Sequence, residues 1–237
     1  MKQSRRTVLR RVGLAVVIAV AVLTLLPYAI APLYRVIDPV STPMLWRWAT
    51  GARVERIYLP LGRIAPVLPL TVILAEDATF CRNRGVDLAA MRAALEHSDD
   101  NVGEARGAST ITQQTAKNLF LWQGRSYVRK ALEFPLALWL NLVLPKARIL
   151  EIYLNIAEWG PNGEFGIEAG SHYAFGRSAH DLTPYQAGEM AALLPNPIQR
   201  SARNPSGLVR RLAGLYERRA AVFDTHDACI RSRQGPP

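Results

Sequence analysis

Residues 107–120 read GASTITQQTAKNLF, and their reading sets the expectation for the whole chain. Thr110 and Gln113 are spaced as a capping box: a hydroxyl at a helix start takes the amide N–H three residues on, and the Gln side chain returns the bond. Ile111 and Leu119 then fall on one apolar face, so a helix begins near Ile111. The cap accounts for Thr110 and Gln113. It leaves Ser109, Thr112, Gln114, Lys117 and Asn118 crowded at the same end. That density of neutral donors and acceptors suits sugar hydroxyls and amides. Lys117 lies one turn beyond Gln113 and Gln114, on roughly the same side of the helix.

Working outward, residues 75–85 read AEDATFCRNRG. Thr71 to Ala75 is apolar and helical in character, and Glu76 and Asp77 arrive at its end. A carboxylate beside apolar neighbours loses solvation and its pKa rises, which suits a proton acceptor near neutral pH. Taken alone, a Glu-Asp pair at a helix end is more often solvated surface. Downstream, RSYVRKALE at 125–133 places Arg129 and Lys130 within one turn of Glu133. This is either an ordinary surface ion pair or a cationic clamp of Arg125, Arg129 and Lys130 for phosphates, with Glu133 orienting it or holding a divalent ion. Pro135 is expected to bend or end that helix. In KARILEIYLN, 146–155, Ile149, Ile152 and Tyr153 form a buried stripe, while Lys146, Arg148 and Glu151 fit a solvated face. Residues 156–176 are a Gly-rich loop region, and LLPNP at 193–197 closes the recognisable part.

The N-terminal end has a different physics. Lys2, Arg5, Arg6, Arg10 and Arg11 precede an uncharged run from Val12 to Tyr34. Some twenty apolar residues at about 1.5 Å each span about 30 Å, the thickness of a bilayer core. The basic cluster before the span keeps the N-terminus cytoplasmic and sends the remainder outside. A cleaved signal is the rival, because Ala29-Ile30-Ala31 resembles a cleavage site, but Pro32 would follow the cut. A twin-arginine signal is the other rival, on Ser4-Arg5-Arg6-Thr7-Val8-Leu9. Residues 36–60, with Trp46, Trp48 and Tyr58 among prolines and glycines, are expected as a juxtamembrane linker, 61–205 as the main domain, and 206–237 as a basic amphipathic helix and tail. The expected class is mainly α.

A net charge of +10 calls for an anionic partner. A domain facing away from the cytoplasm excludes nucleic acid and leaves anionic lipid or phosphate. The basic residues are nearly all Arg; Lys2, Lys117, Lys130 and Lys146 are the exceptions. No Cys or His spacing suits zinc. Cys81 and Cys229 can pair in an oxidising compartment, and their spacing leaves the matter open.

Together these blocks resemble the peptidoglycan glycosyltransferase family, shared by monofunctional transglycosylases and class A penicillin-binding proteins. The resemblance covers roughly residues 60–200. The family pattern EDxxFxxHxG stands here as EDATFCRNRG, GxSTITQQ is intact, and RKxxE and KxxILExYLN follow in order. The stretch around Glu158, Trp159, Phe165 and Gly166 is similar to the monofunctional branch. No SxxK, SxN or KTG follows, so no transpeptidase domain is expected.

The resemblance implies a mainly helical, lysozyme-like glycosyltransferase domain on a single-pass inner-membrane anchor, with the domain in the periplasm. It implies polymerisation of lipid II into β-1,4 glycan strands for the cell wall, with release of undecaprenyl pyrophosphate. Glu76 would be the general base and Glu133 a supporting acid. Ser109, Gln113, Gln114, Lys117, Arg125, Arg129 and Lys130 would bind substrate, with Arg148 and Asn155 weaker matches. No cofactor is obligatory, and a divalent cation, Mg or Mn, is left open at the pyrophosphate. The expected partners are lipid II, the growing chain, the inner membrane, and wall or division proteins. One departure stands out: Asn83 occupies the place of the family's histidine. A hydrolase of similar fold would need a protonated acid and no phosphate clamp. A non-enzymatic scaffold would not need Glu76 and Glu133.

Overall fold

A computed structural model of the chain describes residues 2–96, 109–124, 126–222 and 228–231. The chain is mainly α, as its periodicity predicts. Helix α1, Lys2–Ile30, runs into a short 3-10 turn at Ala31–Arg35. Its apolar stretch leaves Val12, Leu14, Val17, Leu23 and Leu25 exposed. Arg10–Arg35 is long and apolar enough to cross a membrane. The base of α1 is gripped by the domain. Trp139 donates its indole N–H to the Tyr28 carbonyl at 3.0 Å. The Arg35 Nε donates to the Val143 carbonyl at 2.6 Å, and Tyr34 stacks on Phe120.

Segment 36–60, expected as a linker, belongs to the folded body. Helix α2, Thr42–Ala49, starts at Ser41, whose hydroxyl caps the Met44 N–H. Met44 is fully buried in the main core. The Thr42 hydroxyl donates to the Leu121 carbonyl at 2.5 Å, closing the end of another helix. Strand β1, Glu55–Arg56, pairs in parallel with β2, Glu164–Phe165. Prolines and glycines there punctuate short elements, and Met44, Val40, Val54 and Leu59 pack them on the core.

Helix α3, Val67–Glu76, is apolar all round and buried from Leu68 to Leu74, which makes it the central helix. Helix α4, Leu88–Glu96, precedes α5, Ile111–Phe120, which begins with the expected capping box of Thr110 and Gln113. Helix α6, Tyr127–Val143, is capped by Ser126. It does not stop at Pro135, and the reason is tertiary. Leu136, Ala137 and Leu140 are buried beyond the proline, so their packing sustains the second half despite the missing N–H.

Helix α7, Lys146–Ile156, is buried along almost its whole length. The 156–176 region, expected as loop, carries β2 and helix α8, Ile167–Phe175, which ends on the left-handed Gly176. Helix α9, Pro184–Leu193, has a second capping box, from Thr183 and Gln186. Helix α10, Gly207–Val222, packs on α9 and α3. The basic C-terminal helix is therefore a wall of the core. Leu70, Leu74 and Ala220 form its own small apolar cluster. Helix α11, Ala228–Arg231, is tied back by a disulfide between Cys229 and Cys81. Cross-linking across 148 residues of sequence removes roughly 4–5 kcal/mol of loop-closure entropy from the unfolded chain.

Candidate active site

The dry core of α3 delivers Glu76 as its last helical residue and Asp77 as its C-cap. One oxygen of Glu76 accepts a 2.8 Å hydrogen bond from the Gln114 Nε2. The Tyr153 hydroxyl, on a side chain only 1% exposed, donates to the Gln114 Oε1 at 3.0 Å. This neutral relay fixes the amide so that its N–H side faces Glu76. Burial raises the Glu76 carboxyl above its usual value. The Gln114 hydrogen bond, Lys117 and Arg200 offset part of that rise, and Asp77 adds to it. Asp77 is raised by burial too, but it is fully engaged in structure. It takes the Ile111 N–H at 3.1 Å, at the start of α5, together with bonds from Thr79 and Asn83.

A cavity of about 280 Å³ opens beside Glu76 and reaches Ser109 and Thr110 at the mouth of α5. The cationic group meets it at Ser109. Lys130 donates from Nζ to the Ser109 hydroxyl at 2.5 Å and to Glu133 at 3.0 Å. Arg129 pairs with the other oxygen of Glu133 and donates from Nε to the Gly124 carbonyl at 2.8 Å. Glu133 is 2% exposed and spent on these two partners. It orients cations, and the reading in which it holds a divalent ion does not fit. Burial lowers the Lys130 ammonium to about 8, with Arg129 and Lys117 pushing the same way. Lys117 is lowered by burial and by Arg129, against the pull of Glu76. Lys117 thus sits electrostatically between the carboxylate and the cations.

The loop after Glu76 comes close to α6 at Gly85, where φ is +95° and a Cβ would lie 2.5 Å from the Ala137 carbonyl oxygen. Any side chain there would push the Glu76 loop off its support.

Of the residues singled out in the sequence, Glu76 and Ser109 line this cavity; Gln114 and Lys117 act on Glu76, and Lys130 joins Ser109 to Glu133 and through it to Arg129. Arg125 lies outside the described residues. Gln113 is a correction. It is fully buried, its carbonyl oxygen accepts the Thr110 N–H at 3.0 Å in the cap, and its Nε2 is buried without a hydrogen-bond partner among the described residues. Arg148 is another correction. It bonds the carbonyls of Tyr34 (2.7 Å) and Ile37 (2.9 Å), Asp38 (2.8 Å), the Tyr58 hydroxyl (2.6 Å) and Glu151. A guanidinium so surrounded is a staple between α7 and the base of the anchor. Asn155 likewise holds both backbone groups of Leu59, at 2.8 and 2.9 Å.

Four contributors escaped the sequence. Tyr153 was expected only as core. Lys146 was placed on a solvated face. Arg200 and Tyr216 act electrostatically on or with Glu76 from the chain's last third. Lys146 had a faint signal, as one of few lysines in an Arg-rich chain; Arg200 and Tyr216 had none.

Comparison with known proteins gives the family. A family model described as Transglycosylase matches residues 44–225, beyond both ends of the 61–205 domain expected from sequence. A protein named biosynthetic peptidoglycan transglycosylase from Nitrobacter hamburgensis is 56% identical over 227 residues, covering 95% of this chain and 99% of its own length. Proteins of the same name from Nitrobacter winogradskyi (59% over 203 residues, 85% of this chain and 89% of theirs) and Rhodopseudomonas palustris (55% over 223 residues, 92% and 98%) are similar as well. The mainly helical, lysozyme-like class expected from the motifs is the one found. With a match spanning most of its length and relatives above half identity, the chain belongs to the transglycosylase family.

Proposed function

We propose that the chain is a peptidoglycan glycosyltransferase that polymerises lipid II into β-1,4 glycan strands with inversion and release of undecaprenyl pyrophosphate. One observation carries the reading: a desolvated carboxylate lines a cavity whose Ser109 is bonded to Lys130, at the edge of a group of cations. Glu76 takes the proton from the acceptor 4-hydroxyl. The freed oxygen bonds to the anomeric carbon of the donor, the carbon–phosphate oxygen bond breaks, and its electron pair leaves on the pyrophosphate. Lys117, Arg129 and Lys130 stabilise that growing negative charge where little water competes. Gln114 and Ser109 offer neutral hydrogen bonds for sugar groups. No cofactor enters this scheme. Among the described residues no cluster of three or more His, Cys, Asp or Glu is placed to hold a metal, so a divalent cation would have to rely on the pyrophosphate oxygens for its ligands.

The apolar helix supports a single-pass inner-membrane anchor. Its N-terminal basic cluster supports a cytoplasmic N-terminus and a periplasmic domain. The Cys81–Cys229 disulfide fits an oxidising compartment. An anchored enzyme meets a lipid-bound substrate in two dimensions, which raises its effective concentration. Wall or division proteins are natural neighbours there.

The test is polymerisation of purified lipid II by the detergent-solubilised full chain, with Glu76→Gln alongside. Long glycan strands from the wild type and a loss of about 10²–10⁴-fold in the variant are expected. Intact lipid II with folded wild type would overturn the reading. Cleavage of finished glycan without polymerisation would point to a hydrolase.

A further inference from the structure

Asn83 stands where the family pattern has histidine, and it is the meeting point of three segments. Its Nδ2 donates to both oxygens of Asp77 (3.0 and 3.1 Å) and lies 3.2 Å from the Thr79 hydroxyl. Its Oδ1 accepts from the Gly85 N–H at 3.0 Å and from the Lys146 Nζ at 2.9 Å. Lys146 is the first residue of α7, and its ammonium also lies 4.6 Å from the centre of the fully buried Phe80 ring. Asp77 in turn holds the first N–H of α5. The residue bonded to Asp77 through the chain is Glu76.

We propose that Asn83 and Lys146 act as a pair of positioning residues for Glu76, pinning the loop that follows the base between the first turns of α5 and α7. The proposal rests on the reading of Glu76 as the general base. An ammonium has donors only and needs an acceptor; the Asp77 carboxylate accepts only and needs a donor. A carboxamide offers both, on opposite ends, and carries no charge that changes with pH. A neutral imidazole can also donate with one nitrogen and accept with the other. Once protonated, it donates with both and meets Lys146 as a second cation. Asparagine therefore adds no titration of its own to the latch, where histidine would add one near about pH 6.5. The charged groups facing position 83 are Asp77 from its own loop and Lys146 from α7, with Asp87 one hydrogen bond further off through Thr79 and Arg82 acting on Asp87. Burial lowers Lys146 to about 8, with Asp77 opposing, so it stays charged through the neutral range.

The experiment compares initial rates of lipid II consumption by the full-length wild type, Asn83→Ala, Lys146→Met, the double variant and Asn83→His, with thermal melting of each. Loss of the latch should lower kcat by about 10–100-fold, the cost of misplacing a reacting group by about 1 Å, with KM changed less than about twofold. The double variant should be no slower than the worse single one, since either change opens the same latch. Asn83→His should work near wild-type rate at pH 8 and lose activity as pH falls through about 6.5, a protonation added to the acid limb that Glu76 gives the wild type. Losses that multiply in the double variant would overturn the pairing, and so would a pH profile of Asn83→His that matches the wild type. Melting separates this from collapse: a folded Asn83→Ala with unchanged kcat sinks the proposal. A folded wild type that consumes no lipid II overturns the glycosyltransferase reading, and the proposal falls with it. An active wild type with unaffected variants removes the proposal alone.

Discussion

Glu76 and Glu133 are both carboxylates withdrawn from solvent, and they are built for opposite tasks. Around Glu76 the direct partner is a neutral amide, itself aimed by a neutral phenol. The nearest help from charge is indirect, from Lys117 and Arg200. Around Glu133 each oxygen meets a cation, Arg129 on one side and Lys130 on the other. An acid left short of counter-charge holds its proton more readily and can take one from an alcohol. An acid whose two oxygens each meet a cation fixes its partners in space. The same residue type, at the end of α3 and within α6, thus suits a base or a strut according to its neighbours.

The largest expected effect breaks this comparison if it fails. Glu133→Gln removes the partner of two partly buried cations and should cost about 3–5 kcal/mol of stability, read by chemical denaturation, along with activity. Glu76→Gln should go the other way on stability. The folded pKa of Glu76 is raised, so its favourable contribution is present at low pH and is lost as pH rises through that value. At neutral pH the Gln variant should therefore be at least as stable as wild type while inactive, and its advantage should vanish in acid. Equal destabilisation by the two variants would erase the distinction.

The cationic side is sharpened by the alkaline limb of the rate. Lys130 and Lys146 are both lowered to about 8. Each is cationic below that value, so kcat/KM should fall as pH rises through about 8, more steeply than one ionisation allows. Lys130→Arg keeps a charge at any working pH. Its profile should keep only the shallower one-proton fall from Lys146. An unchanged slope would remove Lys130 from the charge-stabilising group.

Much of this site was legible before any geometry. Period and caps located α5, α6 and α7, because capping boxes and apolar stripes are local properties. Glu76, Lys117, Arg129, Lys130 and Glu133 were singled out through the motif resemblance, since the local pattern alone suited a solvated surface equally well. What stayed hidden was settled by contacts far along the chain. Met44 drew the supposed linker into the core. Leu136, Ala137 and Leu140 carried α6 past Pro135. Arg148 reached back more than a hundred residues to Tyr34 and Asp38. Tyr216 approaches Glu76 because α10 packs on α3 and α9, and Arg200 is tied to the Ala192 carbonyl of α9. No window of sequence contains those facts.

The smallest expected effect separates two neighbours that the sequence treated alike. Gln113 and Gln114 are adjacent and chemically identical, and the step of about 100° between helix neighbours sends them to different surroundings. Gln113 closes the cap of α5 from within the core. Gln114 is half open and bridges Tyr153 to Glu76. Gln113→Ala should cost roughly 1 kcal/mol of stability, the worth of a cap, with KM and the acid limb of the rate unmoved. Gln114→Ala removes a hydrogen bond that favours the Glu76 anion, so the acid limb should move to higher pH and the rate should fall. The two pH profiles, measured on equally folded protein, decide the matter. A shifted limb from Gln113→Ala would place that side chain back in the cleft; an unshifted limb from Gln114→Ala would take the neutral relay away from the base.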